Sequence, residues 1–589
     1  MSGVLRRGSL NFDRHGSRGS LDGNLSDETK QVPRTPEVSV IALDFRRHSN
    51  DLKKDVRENE NSDVSPRDLS QDIDSDVISN FIGHYRKWSF LWTFILCLFQ
   101  VPTTFHLFMH VFYTTDKDFW CARPPHLMNV SVFEWRNRSQ TGNGCSLLNI
   151  DYNEVAFDNG QWLNWPENSS NAGYVKCPEF EFSDVDGVAQ TLVQEFGLVC
   201  DRQTMGSVVE MCFLAGAAVG AVLSGWISDR FGRRHTLMIF ATIQTFVGGL
   251  LAFSRSLTMY MSLRVIDGFA CMTVTVVGFV LVVELVSGKW RTIIGILNIL
   301  PVAISYVLAS GLAYLIRDWR TLQNVISWPF LALLCIWYWL PESPRWLLAQ
   351  GRIEELVLLI RRAARMNGTS LPDNFEKTLE AAVPVSAAEN GNCSEGDCTA
   401  AQPNPLFVVF NKQYLRTTLL TLLIWLNLII IYFGLTLHLN NLGGHVYENN
   451  AIAGSLEAVS ICISIFVVLK FGIRRSLIAY MLIPGLCCLG TNLVPHGSDS
   501  SPGVIALAII AKCLIGANNA IIPTYTAMQY PTVVRNFGLG MGNMASGVGL
   551  ILVPYVWLLE RYDSLLPLNI MGVCGIIGAV AILLMKDVN

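Results

Sequence analysis

The chain of 589 residues is 51% hydrophobic and only 16% charged, with a mean hydropathy of +0.34. This composition is too apolar for a soluble protein of such length and predicts an integral membrane protein. The net charge of -4 says little about partners, and no basic tract with interleaved aromatic residues indicates a nucleic-acid partner.

The chain opens with a polar tail, one apolar span and a cysteine-containing loop. Residues 1–85 are rich in Ser, Asp, Arg and Asn without an apolar period, which predicts a disordered cytosolic tail. An apolar span at 88–113 precedes the polar segment 114–202, whose cysteines and N-x-S sequons predict an extracellular, glycosylated, disulfide-stabilised domain. These residues are Cys121, Cys145, Cys177 and Cys200, and Asn129, Asn137 and Asn168. Four cysteines permit three connectivities, and their spacing does not choose between them.

Apolar runs then alternate with short polar turns, each run close to the ~20 residues that cross a bilayer as a helix. The remaining spans of the N-terminal half, 86–340, are 203–227, 236–254, 259–286, 293–316 and 322–340. The spans of the C-terminal half, 416–585, are 416–437, 448–469, 477–495, 503–527, 538–559 and 566–585. An even number of spans leaves both termini on the same side.

The region between the halves, 341–415, has two parts. Residues 356–365 are typical of an amphipathic helix whose arginines suit the inner membrane surface. Residues 370–405 are rich in Ala, Pro, Asn and acids, which predicts a flexible linker. A short cytosolic tail, 586–589, follows the last span.

A charged turn between the second and third spans has the sequence GWISDRFGRR at 225–234. Its arginines should stay in the cytosol, because cationic residues in short loops resist translocation. The turn resembles the G-x-x-x-D-R-x-G-R-R loop of the major facilitator superfamily. That resemblance implies an all-α membrane protein with twelve transmembrane helices in two six-helix halves, which rock about a central site.

Further stretches narrow the resemblance. They are EFGLVCD at 195–201, WRTLQ at 319–323, PESPRW at 341–346 and YPTVVR at 530–535. Together with the large first loop, they resemble solute carrier family 22, the organic cation, anion and zwitterion transporters. This resemblance implies a polyspecific plasma-membrane carrier of small organic ions that is not an enzyme and uses no cofactor or metal. It leaves a coupling ion open, either sodium or a proton.

Charged residues inside apolar spans are candidate substrate-binding residues, because placing charge in a bilayer is costly. By the resemblance, Glu457 matches an acidic position of the cation carriers and Lys512 a basic position of the family. Trp425 and Tyr432 share one helix face and match aromatic cavity positions, which suit a cationic amine. The other candidates by resemblance are Asn519, Asn298 and His106.

Each of these candidates has a structural alternative. Glu457 and Lys512 can form a buried pair that only stabilises the bundle, and His106 can make an interhelical hydrogen bond. Trp425 and Tyr432 can pack against lipid or neighbouring helices. The position that carries opposite charges in cation and anion carriers aligns with Gly547, so that discriminator is absent.

A second group of charged residues lies near the predicted cytosolic ends of the spans. It resembles the inner-gate network that joins the two halves of such carriers when the cavity faces outward. Its members are Asp229, Arg233, Arg234, Glu284, Glu342, Arg345 and Arg535. Near the outer end of the fourth span, Arg264 and Asp267 are expected to brace the bundle or to serve coupling, and Glu210 has no assigned role.

The resulting hypothesis is an alternating-access transporter of organic cations or zwitterions, such as amine-bearing or carnitine-like solutes. An organic anion exchanger is the first alternative, favoured by Lys512 and His106. The second alternative is a receptor that uses the extracellular loop without transport.

Overall fold

The computed structural model describes residues 78, 81–83, 85–114, 117–140, 144–158, 161–166, 173–183, 190–381, 412–438, 446–494, 502–530, 532–563 and 565–585. The predicted tail up to residue 77, the sequon at Asn168, most of the 370–405 linker and the tail 586–589 lie outside the described residues. Within the described part, 11 helices are long enough and apolar enough to cross a membrane.

Each predicted span corresponds to a helical stretch, labelled α1 to α12 in chain order. Those of the N-terminal half are Lys87–Tyr113, Thr204–Phe231, Arg233–Leu251, Leu257–Glu284, Lys289–Leu315 and Trp319–Tyr338. Those of the C-terminal half are Lys412–His438, Val446–Phe471, Ile473–Gly490, Pro502–Gln529, Thr532–Leu558 and Leu566–Leu584. The stretch not counted among the 11 is α3, a helix of 19 residues with Arg233, Arg234 and His235 in its first turn.

Prolines explain why α1 and α5 are interrupted. The first segment of α1 ends at Leu98, four residues before Pro102, and that of α5 ends at Leu297, four residues before Pro301. A proline ring clashes with the carbonyl group four residues earlier and has no N–H to donate. The interruption in α5 places Asn298 between two helical segments, where its side chain faces the interior.

Close helix crossings hold each half together. Helix α2 packs on α4, and α9 packs on α10 and α12, while α2 contacts α11 and α5 contacts α8 across the two halves. At the first crossing a Cβ atom on Gly216 would lie 2.0 Å from the carbonyl oxygen of Val265, and one on Gly268 would lie 2.1 Å from that of Phe213. Glycines at this crossing therefore let the two backbones touch, as is typical of membrane helix pairs.

The segment between α1 and α2 forms a small disulfide-bonded domain, called here the loop domain (residues 117–203). Its strands pair antiparallel as Phe119–Cys121 with Phe180–Phe182, Ser146–Leu148 with Tyr174–Lys176, and Ala156–Asp158 with Gln161–Leu163. Cys121 is bonded to Cys177 and Cys145 to Cys200, which selects one of the three connectivities that the sequence left open. The indole of Trp135 is fully buried at the centre of this domain.

The amphipathic helix between the halves packs against protein. It spans Ile353–Asn367, between the shorter helices Pro344–Ala349 and Phe375–Ala381. Its apolar residues, Leu356 and Ile360 among them, are buried in a core shared with α1, α3 and α4. The expectation that this face lies on the membrane surface is therefore wrong. Asn367 also anchors α1, because its side chain accepts from the Trp88 N–H and donates to the Ile82 carbonyl, both at 2.9 Å.

Candidate substrate site

A central cavity of about 170 Å³ lies between the two halves. Residues of α1, α2, α4 and α5 line one side, and residues of α7, α10 and α11 line the other. Of the predicted substrate residues, the structure places Trp425, Tyr432, Asn298 and Asn519 in the lining. Glu457, Lys512 and His106 do not line the cavity in this structure.

The cavity reaches one end of the bundle. Its lining continues from the centre to Gly225, Asp229 and Arg233, which belong to the charged turn between α2 and α3. We call this end the arginine-turn end and the opposite one, which carries the loop domain, the loop end. Half of the Asp229 side chain is exposed. Toward the loop end, aromatic side chains of both halves pack together.

These aromatic contacts form an interface that the sequence alone did not indicate. Phe108 of α1 packs against Tyr306 of α5 and Phe433 of α7, with ring centroids 4.8 and 6.0 Å apart. Nearer the loop end, Phe112 stacks on Tyr447 of α8 at 5.6 Å. Two of the contacts therefore join the N-terminal half to the C-terminal half between the cavity and the loop domain.

The two predicted aromatic residues of α7 are fixed by different partners. The Trp425 indole N–H donates to the Thr526 hydroxyl of α10 at 3.0 Å. A Cβ atom on Gly542 of α11 would lie 2.6 Å from this indole nitrogen, so the ring fits tightly against α11. The Tyr432 hydroxyl donates to Oε1 of Glu457 on α8 at 3.0 Å. Both rings therefore face the cavity in a defined orientation.

Glu457 and Lys512 form a buried ion pair behind Tyr432. Lys512 Nζ lies 3.1 Å from Glu457 Oε2, and the two side chains are 1% and 3% exposed. The same ammonium lies 3.4 Å from the centroid of the Tyr432 ring, within cation–π range. The three residues, called here the C-half trio, join α7, α8 and α10, and only Tyr432 lines the cavity.

His106 belongs to a separate buried cluster in the N-terminal half. Its Nδ1 atom lies 3.3 Å from Asp267 Oδ2 of α4, and the two side chains are 1% and 0% exposed. Arg264 of α4 pairs with Glu210 of α2 at 3.0 Å. Arg264 and Asp267, which the sequence assigned to bracing or coupling, thus lie in one cluster with His106.

Five of the seven predicted gate residues, Asp229, Arg233, Arg234, Glu284 and Glu342, meet at the arginine-turn end. Arg233 contacts Asp229 at 2.7 Å and Glu284 at 3.3 Å, which joins the ends of α2, α3 and α4. Glu342 Oε1 accepts the backbone N–H groups of Arg233 and Arg234 at 2.9 and 3.0 Å. A carboxylate at the start of α3 is favourable, because the first N–H groups of a helix have no internal partner.

These described gate contacts join residues of the N-terminal half to one another and to Glu342, at the start of the region between the halves. The Arg234 guanidinium donates to the Trp337 carbonyl at 2.8 Å. Arg345 is half-buried in the helix Pro344–Ala349. Arg535 is placed in the first turn of α11, and its side chain lies outside the described residues.

On α11, neighbours of Gly547 line the cavity, and Gly547 itself does not. A Cβ atom on Gly547 would lie 2.7 Å from Ala218 of α2, so this position serves the contact between the halves. The cavity is lined instead by Asn543, Ser546 and Leu550. Sequence reasoning missed the first two, although polar residues three apart in an apolar span share one helix face.

Comparison with known proteins agrees with this architecture. The sugar (and other) transporter family matches residues 168–584. The organic cation transporter protein of Drosophila melanogaster is 31% identical, over 87% of this chain and 92% of that one. The organic cation/carnitine transporter 2 of Mus musculus is 29% identical, over 87% and 91%.

Solved structures show the same fold. The xylose transporter XylE from E. coli, a major facilitator superfamily protein, aligns with a TM-score of 0.52 at 15% identity, over 84% of this chain and 96% of that one. At this identity the likeness shows the fold alone, whereas the sequence relatives extend over nearly the whole chain. The chain belongs to the sugar (and other) transporter family of the major facilitator superfamily, with the organic cation transporters and solute carrier family 22 members as its relatives.

Proposed function

We propose that this protein is a plasma-membrane, alternating-access transporter of small organic zwitterions or cations, such as amine-bearing or carnitine-like solutes, and performs no covalent chemistry. The observation that carries the proposal is the C-half trio beside the central cavity. Tyr432 lines the cavity, and its hydroxyl donates to the carboxylate of Glu457. Relatives named as organic cation and organic cation/carnitine transporters support the same class of solute.

The ammonium of Lys512 already makes the contacts that an organic cation would seek. It lies 3.4 Å from the Tyr432 ring centroid and 3.1 Å from the Glu457 carboxylate. Aromatic faces and carboxylates are the usual protein partners of ammonium ligands. A substrate ammonium therefore binds at this site by replacing Lys512, and the displaced lysine then needs another anion.

A zwitterion meets both requirements. Its ammonium group takes the place beside Glu457 and Tyr432, and its carboxylate pairs with Lys512. No buried charge is then left without a partner, and an unpaired buried charge is strongly destabilising. A simple cation leaves Lys512 unpaired, and a simple anion leaves Glu457 unpaired. The pair therefore favours zwitterions first, and the Tyr432 ring face beside it, which attracts an ammonium group, favours cations over anions.

Uncharged polar residues supply the rest of the proposed site. Trp425, Asn298 and Asn519 line the cavity, together with Asn543 and Ser546. Amide and hydroxyl groups orient a small solute without holding it so tightly that it cannot leave. His106 does not line the cavity, so we assign it no direct substrate contact.

We place the arginine turn in the cytosol and the loop domain outside the cell. The arginines of the turn support this orientation through the positive-inside preference. Asn129 and Asn137 are exposed on the loop domain, as glycan acceptors must be. Both termini are then cytosolic, and the cavity in this structure opens inward. Asp229, Arg233, Arg234, Glu284, Glu342, Arg345 and Arg535 are proposed to rearrange when the cavity opens outward.

A cavity between two halves, open to one end and bounded by aromatic contacts toward the other, supports transport over a receptor role. Alternating access requires such an arrangement, because the central site must be reached from one side at a time. A receptor that acted through the loop domain alone would not need polar residues along a central cavity.

Uptake measurements in cells that express the full chain test this proposal. The panel contains labelled carnitine-like zwitterions, quaternary ammonium cations and dicarboxylates, with surface expression quantified in parallel. We expect zwitterion uptake to exceed cation uptake and dicarboxylate uptake to be absent. Lys512→Ala should lower the surface expression, because it leaves Glu457 buried without its cation. Per transporter at the surface, it should lower zwitterion uptake by about tenfold or more relative to cation uptake, since ~1.4 kcal/mol corresponds to a factor of ten.

Lys470→Ala is the matched control, because Lys470 is exposed at the end of α8 and lies outside the cavity lining. It should leave the ratio of zwitterion to cation uptake unchanged. Transport of dicarboxylates alone, or an unchanged ratio in Lys512→Ala, would contradict the proposal.

A further inference from the structure

The buried cluster in the N-terminal half is not part of the substrate site. It contains His106 and His110 of α1, Glu210 of α2, and Arg264 and Asp267 of α4. Arg264 Nη2 lies 3.0 Å from Glu210 Oε2, and Arg264 Nη1 lies 3.8 Å from Asp267 Oδ2. His110 Nε2 lies 3.8 Å from Glu210 Oε2. We call these five residues the N-half cluster.

The N-half cluster holds more acidic than basic charge. With neutral histidines, Glu210 and Asp267 face the single guanidinium of Arg264, which leaves one negative charge in excess. Besides Glu210 and Asp267, the groups that interact electrostatically with Arg264 include Tyr260, Tyr113, His110, Cys212 and Cys271. Phenols and the thiols of Cys212 and Cys271 are neutral near physiological pH, so they do not cancel the excess. An uncompensated charge in a dry interior is costly.

The neighbouring helices add no charge among the described residues that touch His106. Helix α3 contributes Gly248, whose position leaves room for the His106 ring, and α6 contributes Gln323. On the side of the C-terminal half, Phe213 packs with Ile429, Phe433 and Leu550, which are apolar. The excess charge must therefore be balanced by a small cation.

The atoms around Asp267 favour a proton over a metal cation. Its carboxylate faces His106 Nδ1 at 3.3 Å and the Arg264 guanidinium, and neither Asp267 oxygen has a hydrogen-bond donor among the described residues. Hard metal cations take oxygen ligands, whereas nitrogen atoms surround this carboxylate. In its neutral Nδ1–H tautomer the His106 ring can already donate to Asp267, so one further proton, shared by the imidazole and the carboxylate, neutralises the cluster and makes this a charge-assisted hydrogen bond.

The His106 ring lies between two hydrogen-bond partners, Gln323 and Asp267. Its Nδ1 atom lies 3.5 Å from the Gln323 amide nitrogen, which can donate to an unprotonated ring. The same atom lies 3.3 Å from Asp267, which can accept from a protonated ring. The Nδ1 atom thus has a partner in either tautomer of the ring, whereas Nε2 is buried without a hydrogen-bond partner among the described residues.

The N-half cluster lies one helical turn from the cavity. His106, Glu210 and Asp267 are three or four residues from Thr103, Phe213 and Cys271, which line it. The guanidinium carbon of Arg264 is 4.2 Å from the centroid of the Phe213 ring. A change of charge in the cluster therefore alters the electrostatic environment of the residues that line the cavity.

We propose that the N-half cluster is a proton-binding site and that its proton, shared by His106 and Asp267, moves with the substrate. This inference rests on the proposed function, and it supplies a driving force for the proposed transport. A zwitterion carries no net charge, so the membrane potential cannot concentrate it. A proton taken up from the loop end together with the solute, and released at the arginine-turn end, provides the driving force.

Transport in proteoliposomes of the full chain tests the proposal, with membrane potential clamped and sodium omitted. We expect an inward proton gradient to drive carnitine-like solute above equilibrium, whereas equal pH on both sides gives exchange without accumulation. Asp267→Asn, which keeps the cluster neutral without a proton, should lose accumulation and retain counterflow. Accumulation that ignores the pH gradient, or that persists in Asp267→Asn, overturns the proton site.

Gly248→Ala is a second variant that removes no titratable group. A Cβ atom there would lie 2.2 Å from His106 Cε1, so the ring must move away from its place beside Asp267. In Gly248→Ala, the pH optimum for uptake should shift while counterflow persists. An unchanged optimum argues against the proton-binding site. If wild-type protein shows no counterflow of any solute, the proposed function itself fails; counterflow without a gradient response refutes only the proton site.

Discussion

The two halves of the bundle contain the same arrangement with different charge balance. In the C-terminal half, Lys512 lies against Tyr432 and pairs with one carboxylate, Glu457. In the N-terminal half, Arg264 lies against Phe213 and faces two carboxylates, Glu210 and Asp267. In each half, the aromatic ring lines the cavity and the cation lies behind it.

Because their charges differ, two similar sites take different ligands. In the C-terminal half, Lys512 and Glu457 neutralise each other. A ligand can therefore enter without leaving a buried charge unpaired only if it replaces both partners. The cluster in the N-terminal half is one positive charge short, so it takes a cation too small to displace Arg264. The tyrosine hydroxyl adds to this division, because it links the cavity wall to Glu457, whereas Phe213 has no polar group.

Arg264→Met should have the largest effect, since it leaves two buried carboxylates without their cation. Removing one partner of a buried pair costs about 3–5 kcal/mol, which is a large share of a typical folding free energy. We expect the variant to be retained inside the cell and to show a lower thermal midpoint in detergent. Adding Glu210→Gln and Asp267→Asn should restore both properties.

Arg255→Met is the matched control, because Arg255 is exposed between α3 and α4. Its thermal midpoint should equal that of the wild type. If Arg264→Met and Arg255→Met behave alike, the N-half cluster does not hold buried charge.

Glu457→Gln should come next in size. It leaves the Lys512 ammonium buried without its anion, at a cost of about 3–5 kcal/mol, and it removes the proposed partner of the substrate ammonium. Uptake and thermal midpoint should both fall. The double variant Glu457→Gln with Lys512→Met should recover the midpoint but not the uptake, which separates a functional pair from a purely stabilising one.

Glu448→Gln controls for this substitution on the same helix, because Glu448 is exposed near the start of α8. Glu448→Gln should change neither the uptake nor the thermal midpoint. Recovery of uptake in the double variant would show that the pair only stabilises the bundle.

The sequence predicted the parts of this fold that depend on local composition. Hydropathy located the 11 helices that are apolar enough to cross a membrane as well as α3, and the arginine turn carried the resemblance to the major facilitator superfamily. Trp425 and Tyr432 were predicted to share a face because helical spacing alone decides it. Span limits differed by a few residues, as at α3, which begins at Arg233 where the prediction began at residue 236.

Features that depend on contacts between distant residues were beyond the sequence. Cysteine spacing could not choose the pairing of Cys121 with Cys177. The rotation of α11 decides that Ser546 faces the cavity and that Gly547 faces Ala218. The charge imbalance in the N-terminal half appears only when α1, α2 and α4 are brought together. The amphipathic helix was correctly located, but a periodic apolar face does not reveal whether lipid or protein covers it.

Tyr432→Phe should have a smaller effect that tests the link between the cavity wall and Glu457. It keeps the ring, and thus the cation–π contact, but removes the hydrogen bond to Glu457. A hydrogen bond to a charged group contributes about 1.5–3 kcal/mol to stability. Without it the Glu457 carboxylate is less well oriented, so we expect KM for the zwitterion to rise severalfold. Tyr555→Phe, at an exposed position of α11, should leave KM unchanged. An equal KM in both variants would place the hydroxyl outside the substrate site.

Asp267→Asn should have the smallest effect on stability, and it sets the two halves most sharply against each other. The substitution is the same carboxylate-to-amide change as Glu457→Gln, yet here it removes the charge in excess and leaves Glu210 paired with Arg264. The thermal midpoint should therefore stay level or rise. A loss as large as that of Glu457→Gln would mean that the N-half cluster is balanced without a proton, and the contrast between the halves would then rest on the aromatic residues alone.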